Sequence, residues 1–185
     1  MAPLERSLPA LAAFAQLGDR DALEELLRRL QHPLSEHIQG IVRDDDLAAD
    51  VLQDTLIIIC RRLGSVREPE WVRAWAYRVA TREAVRSAKR MRRDRGNPLD
   101  DIAEMAEPPV EASSAFADEK LLAELPARLA SLPLGAQVVL RLHYLQSLTQ
   151  QEVAEALAIP LGTVKSRLAY GLSFLRKQWT SPHSP

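Results

Sequence analysis

The sequence predicts an all-α protein made of two small helical domains joined by an acidic, flexible linker. Apolar residues recur at intervals of three and four along most of the 185 residues, which is the spacing of amphipathic helices. Residues 97–118 interrupt this pattern with prolines, acids and small residues, as a linker does. Strand alternation, heptads and long repeats do not compete with the helical pattern. The expected domains are 1–96 and 119–180, followed by a frayed tail at 181–185.

Three helices are expected in the first part of the chain. A short helix ends at a Gly18-Asp19 break, and Asp19 suits the N-cap of the second helix. Pro33 lies within the apolar pattern of that helix, where a kink and a loop are both compatible with it. The third helix is expected to open at Asp44, Asp45 and Asp46, whose carboxylates suit the positive end of a helix dipole, and to run to about Leu63.

The third helix has no fully polar face. One apolar stripe is expected to enter the core, and it consists of Ala48, Leu52, Thr55, Leu56, Ile59 and Leu63. Four further apolar residues are expected to face elsewhere, namely Leu47, Val51, Ile57 and Ile58. Asp50 and Asp54 align opposite the stripe, beside Ile57. This arrangement indicates a second packing partner, from this chain or another protein, and a solvated face for Asp50, Gln53 and Asp54 is the alternative.

The fourth helix is expected to run from Trp71 to about Arg93, after a loop at residues 64–70. Its apolar stripe of Trp71, Val72, Trp75 and Val79 passes into Arg82 and Arg86. The basic end suits a phosphate backbone, and tryptophan or tyrosine can stack on an unpaired base. Trp75 is expected in the core, whereas Tyr77 and Arg78 are expected to be exposed. A merely solvated arginine face, or an acidic protein partner, is the alternative.

The segment from Leu148 to Lys177 predicts a helix-turn-helix. Val153, Ala154 and Leu157 form the inward face of its first helix, and residues 158–160 form the turn. The second helix is expected to begin near Leu161, because Pro160 lacks an amide donor but is tolerated where a helix starts.

The second helix of this motif separates into two faces. An inward stripe comprises Val164, Leu168, Gly171 and Leu175, and the far side carries Gly162, Thr163, Ser166 and Tyr170. Lys165 and Arg167 flank the stripe. Small side chains let the backbone approach base edges, and the longer cations can reach phosphates, so the pattern is typical of a DNA-reading helix. A surface helix pair in any helical domain is the alternative.

Charge is distributed in segments although the net charge is only -1. Residues 1–60 carry -6, residues 61–95 carry +8, residues 96–124 carry -7 and residues 125–185 carry +4. Phosphate attraction acts within a Debye length of about 8–10 Å, so local charge decides it. The two positive segments predict two DNA-facing surfaces.

Several function classes lack support in the sequence. His32, His37, His143 and His183 have no metal-ligand spacing, and no glycine-rich loop follows a strand, so we expect no metal, no cofactor and no enzymatic activity. Cys60 is the only cysteine, which excludes an internal disulfide, and we expect it to be buried. The absence of an apolar run near 18 residues and of an export leader predicts a cytoplasmic protein without membrane insertion.

Four segments together resemble a bacterial alternative sigma factor of the extracytoplasmic-function type, in the sigma-seventy family. They are GDRDALEELLRRL, LAADVLQDTL, WVRAWAYRVATREAVRSAKRMRR and TQQEVAEALAIPLGTVKSRL, which occur in the family's order and at its spacing. The resemblance covers nearly the whole chain. It assigns 1–96 to region 2 and 119–180 to region 4.

The resemblance implies a role for each surface in promoter-specific transcription initiation. Binding of core RNA polymerase through its largest-subunit clamp helices is implied for Asp50, Gln53, Asp54 and Ile57. Opening of the minus-ten element and capture of its bases are implied for residues 64–70 and for Arg67, Trp75, Tyr77, Arg78, Arg82, Arg86, Lys89 and Arg90. Contact with the minus-thirty-five element is implied for Thr163, Lys165, Ser166, Arg167 and Tyr170. The polymerase flap, promoter DNA and an anti-sigma factor are the further partners that it suggests.

The sequence departs from the family pattern at five positions. Leu56 and Cys60 stand where aromatic residues are usual, and Arg82 and Arg86 stand where asparagine and aspartate are common. Ala158 replaces a glycine in the turn, at a position expected to be left-handed.

Two other function classes remain open at this point. A free-standing helix-turn-helix regulator that dimerises through its amino-terminal domain would explain the DNA-reading motif but not the basic aromatic helix. A purely structural helical adaptor would bind proteins without affinity for DNA.

Overall fold

The computed structural model describes residues 6–94 and 128–180, and its regular elements there are all helical. The α-helices are α1 (Leu8–Gln16), α2 (Arg20–Val42), α3 (Asp45–Arg62), α4 (Val72–Asp94), α5 (Leu134–Leu140), α6 (Gln150–Leu157) and α7 (Leu161–Thr180). The prediction of an all-α fold is confirmed. The linker expected at 97–118 and the tail expected at 181–185 lie outside the described residues.

Short helical turns complete the described part of the chain. They span Leu63–Ser65, Pro69–Trp71 and Leu129–Ser131, and a π-helical turn spans Arg141–Leu145. The chain divides into two compact units, one carrying α1–α4 and the other built mainly by α5–α7. Across the two described ranges, no helix is both long and apolar enough to cross a membrane.

Local chemistry sets the starts of α2 and α3. The Asp19 carboxylate accepts a hydrogen bond from the Ala22 amide at 3.0 Å, and the Asp44 carboxylate accepts one from the Leu47 amide at 3.1 Å. Both are side-chain N-caps, which satisfy amides that have no partner within the helix. The N-cap predicted at Asp19 is confirmed, and the third helix begins where the aspartate triplet predicted.

Helix α2 continues through Pro33 without a break. Proline removes one helical hydrogen bond, but the buried side chains of Leu30, Leu34 and Ile38 hold both halves of the helix in the same core. The loop alternative at Pro33 is therefore wrong.

The core face of α4 differs from the expected one. Helix α4 packs against α2 and α3 through a row of fully buried small side chains that includes Ala76, Ala80 and Ala84. Alanine allows two helix backbones to approach closely, so this row lies innermost. Trp75, which we placed in the core, is only half-buried, as are Trp71 and Val79.

Tyr77 is part of this core, which contradicts the exposure expected for it. Its side chain is 1% exposed, and its ring meets the buried His37 ring edge-on at a centroid distance of 5.3 Å. His37 Nε2 lies 2.8 Å from Thr81 Oγ1, so a buried hydrogen bond also joins α2 to α4. Burial raises the pKa of the Tyr77 phenol to about 12, because the charged form loses hydration there.

Helix α3 buries a narrower face than expected. Ala48, Val51, Thr55 and Ile59 are buried, so the expectation that Val51 faces elsewhere is wrong. Leu52 and Leu56 are half-buried. Cys60 is exposed, which corrects the buried position expected for it, because it follows Ile59 on the side that turns away from the core.

In the second unit, α5 packs against α7 at Gly171. The four residues predicted to form the inward face of α7, which are Val164, Leu168, Gly171 and Leu175, are all buried. A Cβ atom added at Gly171 would collide with the Leu140 side chain and would also meet the Ala136 Cβ. Leu140 is completely buried, so it has little room to move.

We predict that Gly171→Ala destabilises the second unit. Overpacking against Leu140 costs about 1–3 kcal/mol, and the better helix propensity of alanine offsets at most about 1 kcal/mol of it. The measurement is hydrogen exchange of the α7 amides, which should become faster. Gly162→Ala in the same helix is the matched control, because a Cβ there has nothing within 4 Å. Equal exchange rates in both variants would contradict the packing account.

Candidate nucleic-acid and protein interfaces

The exposed side of α3 combines carboxylates with an apolar side chain. Asp50, Gln53, Asp54 and Ile57 form what we call the α3 ridge, and all four are exposed, with Ile57 at 39%. Ile57 is exposed because it lies on the face of α3 opposite the buried Val51 and Thr55. Such a surface suits a protein partner that offers an apolar contact flanked by basic groups.

A row of arginines lies along the outer side of α4. Arg78, Arg82, Arg86 and Arg90 are exposed, and we call them the α4 basic face. They are four residues apart, so successive guanidinium groups start about 6 Å apart along the helix. Arg86 approaches Glu83 only at 3.9 Å, and its side chain is 81% exposed. The row can therefore contact several phosphates of one nucleic-acid strand. Lys89, also predicted to bind DNA, is half-buried.

The α3 ridge and the α4 basic face adjoin within the first unit. A groove of about 240 Å³ is lined by Val51 and Asp54 from α3 and by Glu83, Arg86, Ser87 and Arg90 from α4. Asp54 thus belongs to the ridge and also lines the groove next to two arginines.

The start of α4 and the loop before it form a hollow that aromatic, basic and acidic side chains line. We call it the indole hollow, and its lining from these two segments includes Val66, Arg67, Glu68, Trp71, Trp75 and Arg78. Both tryptophans are half-buried, so part of each indole is accessible, while Arg67 and Arg78 are exposed. Indole faces and guanidinium planes both stack on nucleobases. Tyr77 has no place in this hollow because it is buried in the core.

A residue that the sequence analysis missed holds the loop of the hollow. The Gln16 side chain of α1 donates hydrogen bonds from Nε2 to the carbonyl oxygens of Leu63, at 2.9 Å, and Val66, at 2.7 Å. These residues lie 47 and 50 positions away in the sequence. No local pattern could have indicated the contact, since it arises only when α1 packs beside the loop.

The helix-turn-helix has the two helices and the turn that were predicted, but Ala156 rather than Leu157 is buried beside Val153 and Ala154. Thr149 and Glu152 form a reciprocal capping box at the start of α6, with the Thr149 amide donating to Glu152 at 2.7 Å. The turn follows at Ala158, whose φ is 53°, and α7 begins at Leu161. The left-handed conformation expected at Ala158 is confirmed, and it is a backbone region that alanine adopts with strain.

The outer side of α7 carries most of the predicted DNA-contacting residues. Lys165 is exposed, and Thr163, Ser166 and Tyr170 are half-buried. Ser166 donates a hydrogen bond to the Thr163 carbonyl at 3.1 Å, which orders its hydroxyl at the start of the helix. Arg167 differs, because it is only 5% exposed. It lies three residues after Val164 and four before Gly171, so its stem begins within the buried face, and the prediction that it is available to phosphates is wrong.

Within the described ranges, no group of three or more histidine, cysteine, aspartate or glutamate residues is arranged to hold a metal ion.

Comparisons with known proteins agree on one family. Residues 8–95 match the family model Sigma-70 region 2, and residues 122–177 match the model Sigma-70, region 4. The ECF RNA polymerase sigma factor SigM of Mycobacterium tuberculosis is 28% identical over 165 residues, which cover 89% of this chain and 81% of the relative. The ECF RNA polymerase sigma-E factor of Escherichia coli K12 is 28% identical over 170 residues, which cover 85% of this chain and 86% of the relative.

Two further comparisons extend the agreement. The RNA polymerase sigma-H factor of Pseudomonas aeruginosa is 27% identical over 168 residues, covering 85% of this chain and 86% of that protein. A solved structure of CnrH in complex with the cytosolic domain of CnrY has a TM-score of 0.66 at 20% identity. It covers 93% of this chain and 96% of the CnrH chain, so the two chains share their fold.

We predict that the α4 basic face supplies salt-dependent affinity for DNA. The double variant Arg82→Ala with Arg86→Ala should lower the slope of log affinity against log salt by about 1.4, since each lost phosphate contact on a single strand removes about 0.7. The measurement is binding of a single-stranded oligonucleotide at several salt concentrations. Arg20→Ala with Arg28→Ala removes the same charge from α2 and is the control. Equal slopes for the two variants would show that the arginines of α4 do not contact phosphates.

Proposed function

Since this chain belongs to the sigma-70 family, as an alternative sigma factor of the extracytoplasmic-function type that directs transcription initiation, we propose that it does so through three surfaces. The family implies core RNA polymerase and promoter DNA as partners.

The α3 ridge binds the clamp helices of the polymerase largest subunit. The observation that carries this assignment is the exposed Ile57 beside Asp50 and Asp54, on a helix whose opposite face is fully used by the core. The apolar contact supplies affinity, while the carboxylates select a basic partner and set its orientation. Gln53 lies within the same surface, and its side-chain amide can both donate and accept hydrogen bonds with polar groups of the partner.

The indole hollow and the α4 basic face take the minus-ten element. Arginines 78, 82, 86 and 90 follow the phosphates of the separated non-template strand, with Lys89 beside them. Trp71 and Trp75 then stack on a base that has left the duplex, a contact worth about 1–3 kcal/mol per base. This stacking offsets part of the cost of opening the base pairs. Arg67 closes the hollow from the loop side.

Helix α7 reads the minus-thirty-five element in duplex DNA. Thr163 and Ser166, near its amino-terminal end, are short enough to let the helix backbone approach base edges, and Lys165 reaches a phosphate. Tyr170 lies about two and a half turns from the helix start and contacts the flanking backbone. Arg167 and Tyr77 are left out of these surfaces because both are buried.

The proposal extends to the organisation of the chain. Residues 1–96 would act on the clamp and the minus-ten element, and residues 119–180 would act on the minus-thirty-five element and the polymerase flap. The acidic segment 97–118 joins these two ranges in the sequence, and its negative charge resembles that of nucleic acid. The protein itself would make and break no covalent bonds, leaving nucleotide addition to the polymerase in the cytoplasm.

An anti-sigma factor is proposed as a regulatory partner. Support comes from the shared fold with CnrH, which has been solved in complex with the cytosolic domain of another protein, CnrY. A chain of this fold can therefore be held by a second protein, and the exposed ridge of α3 offers such a protein a surface.

Charge reversal on the α3 ridge tests the central assignment. In the full chain, Asp50→Arg with Asp54→Arg should weaken binding to core polymerase by 100-fold or more, on the order of 3 kcal/mol, because two attractive charge contacts become repulsive. Affinity for duplex DNA with the minus-thirty-five element should not fall, because that surface lies on α7. Binding is measured by fluorescence anisotropy. Run-off transcription by the same variants should fall in parallel with binding.

The matched control is Asp21→Arg with Glu24→Arg, which makes the same charge change at exposed positions of α2. It should bind polymerase as the unaltered chain does. Two results would contradict the assignment: equal loss in both double variants, or full binding by the α3 variant. Tight dimeric binding of the unaltered chain to a palindrome without polymerase would instead favour the free-standing regulator.

A further inference from the structure

The loop before α4 is fastened to α1 by one side chain. Gln16 Nε2 donates to the Leu63 carbonyl at 2.9 Å and to the Val66 carbonyl at 2.7 Å. A primary amide nitrogen carries two N–H donors, so one group serves both acceptors. The contact is partly buried, where hydrogen bonds compete less with water than they do on an open surface.

The two carbonyls mark the change from helix to loop. Leu63 begins the turn that closes α3, and its carbonyl also accepts the Val66 amide at 3.1 Å. Val66 itself is extended, with φ -78° and ψ 104°, and its side chain is buried, as is that of Leu63. The next residue, Arg67, is exposed and lines the indole hollow. Gln16 therefore fixes the backbone immediately before the loop residue that forms one wall of the hollow.

We propose that Gln16 is a positioning residue for recognition of the minus-ten element. By holding the backbone from Leu63 to Val66, it sets where Arg67 stands relative to Trp71 and Trp75. A hollow that is ordered before the base arrives loses less conformational entropy on binding, and it discriminates better between bases. The inference rests on the function proposed for the hollow, and it adds a residue of α1 that contacts no DNA.

Two substitutions separate the hydrogen bonds from the space that the side chain fills. Gln16→Met keeps the length and an unbranched shape but has no donor, whereas Gln16→Lys restores N–H donors through its ammonium group. Gln31→Met changes the same residue type at an exposed position of α2 and is the control. All variants are made in the full chain and assembled with core polymerase.

The readout is selectivity at each promoter element. A promoter obtained by mapping transcript starts is randomised in its minus-ten element in one library and in its minus-thirty-five element in another, and the transcripts are sequenced. In the minus-ten library, the selectivity of Gln16→Met should be about tenfold lower than that of the unaltered chain. In the minus-thirty-five library its selectivity should be unchanged, and its affinity for core polymerase should also stay the same. Gln16→Lys should recover most of the loss. In the free chain, the Val66 amide of Gln16→Met should exchange about tenfold faster.

The outcomes distinguish this inference from the proposed function. If the unaltered chain selects sequences in neither library, the proposed function fails. If it selects in both and Gln16→Met does the same, the function stands and the inference is overturned. If Gln16→Met loses polymerase binding because it unfolds, the test depends on Gln16→Lys. Retained minus-ten selectivity in Gln16→Lys supports the inference. Equal loss of selectivity in both libraries by Gln16→Lys refutes it.

Discussion

The close packing of α4 against α2 and α3 is the interaction on which the first unit depends. Ala76, Ala80 and Ala84 are fully buried, and their small side chains let the helices approach closely. The Thr81–His37 hydrogen bond and the buried Tyr77 ring join α4 to α2 on the same side. Because this side of α4 is buried in the core, the arginines on its other side are all exposed to solvent, namely Arg78, Arg82, Arg86 and Arg90. A larger residue in the alanine row would move the whole basic face.

The same packing leaves α3 with two separate tasks. Its buried side, which includes Val51, Thr55 and Ile59, completes the core, and its outer side presents the α3 ridge. Since α3 and α4 are neighbours, Asp54 lies at the groove that Arg86 and Arg90 also line. The surface proposed for polymerase therefore adjoins the surface proposed for separated DNA.

Sequence reasoning succeeded where structure is decided locally. The Asp19 cap, the start of α3 and the left-handed Ala158 follow from the chemistry of a few neighbouring residues. It failed where distant elements meet. The apolar periodicity of α4 predicted that Trp75 lies in the core. The short distance between the packed helices leaves room only for small side chains, so alanines fill the core instead. The burial of Tyr77 against His37 and the hydrogen bonds made by Gln16 depend on neighbours that no local window contains.

Hydroxyl-radical footprinting of the full chain tests the central claim most directly, because it reports the solvent access of individual side chains. Ile57 and Cys60 are exposed in the free protein and should be labelled there. The account predicts that core polymerase protects Ile57, and that Trp71 and Trp75 gain protection only when promoter DNA is added. Undiminished labelling of Ile57 in a functional polymerase complex would contradict the claim that the α3 ridge holds the enzyme.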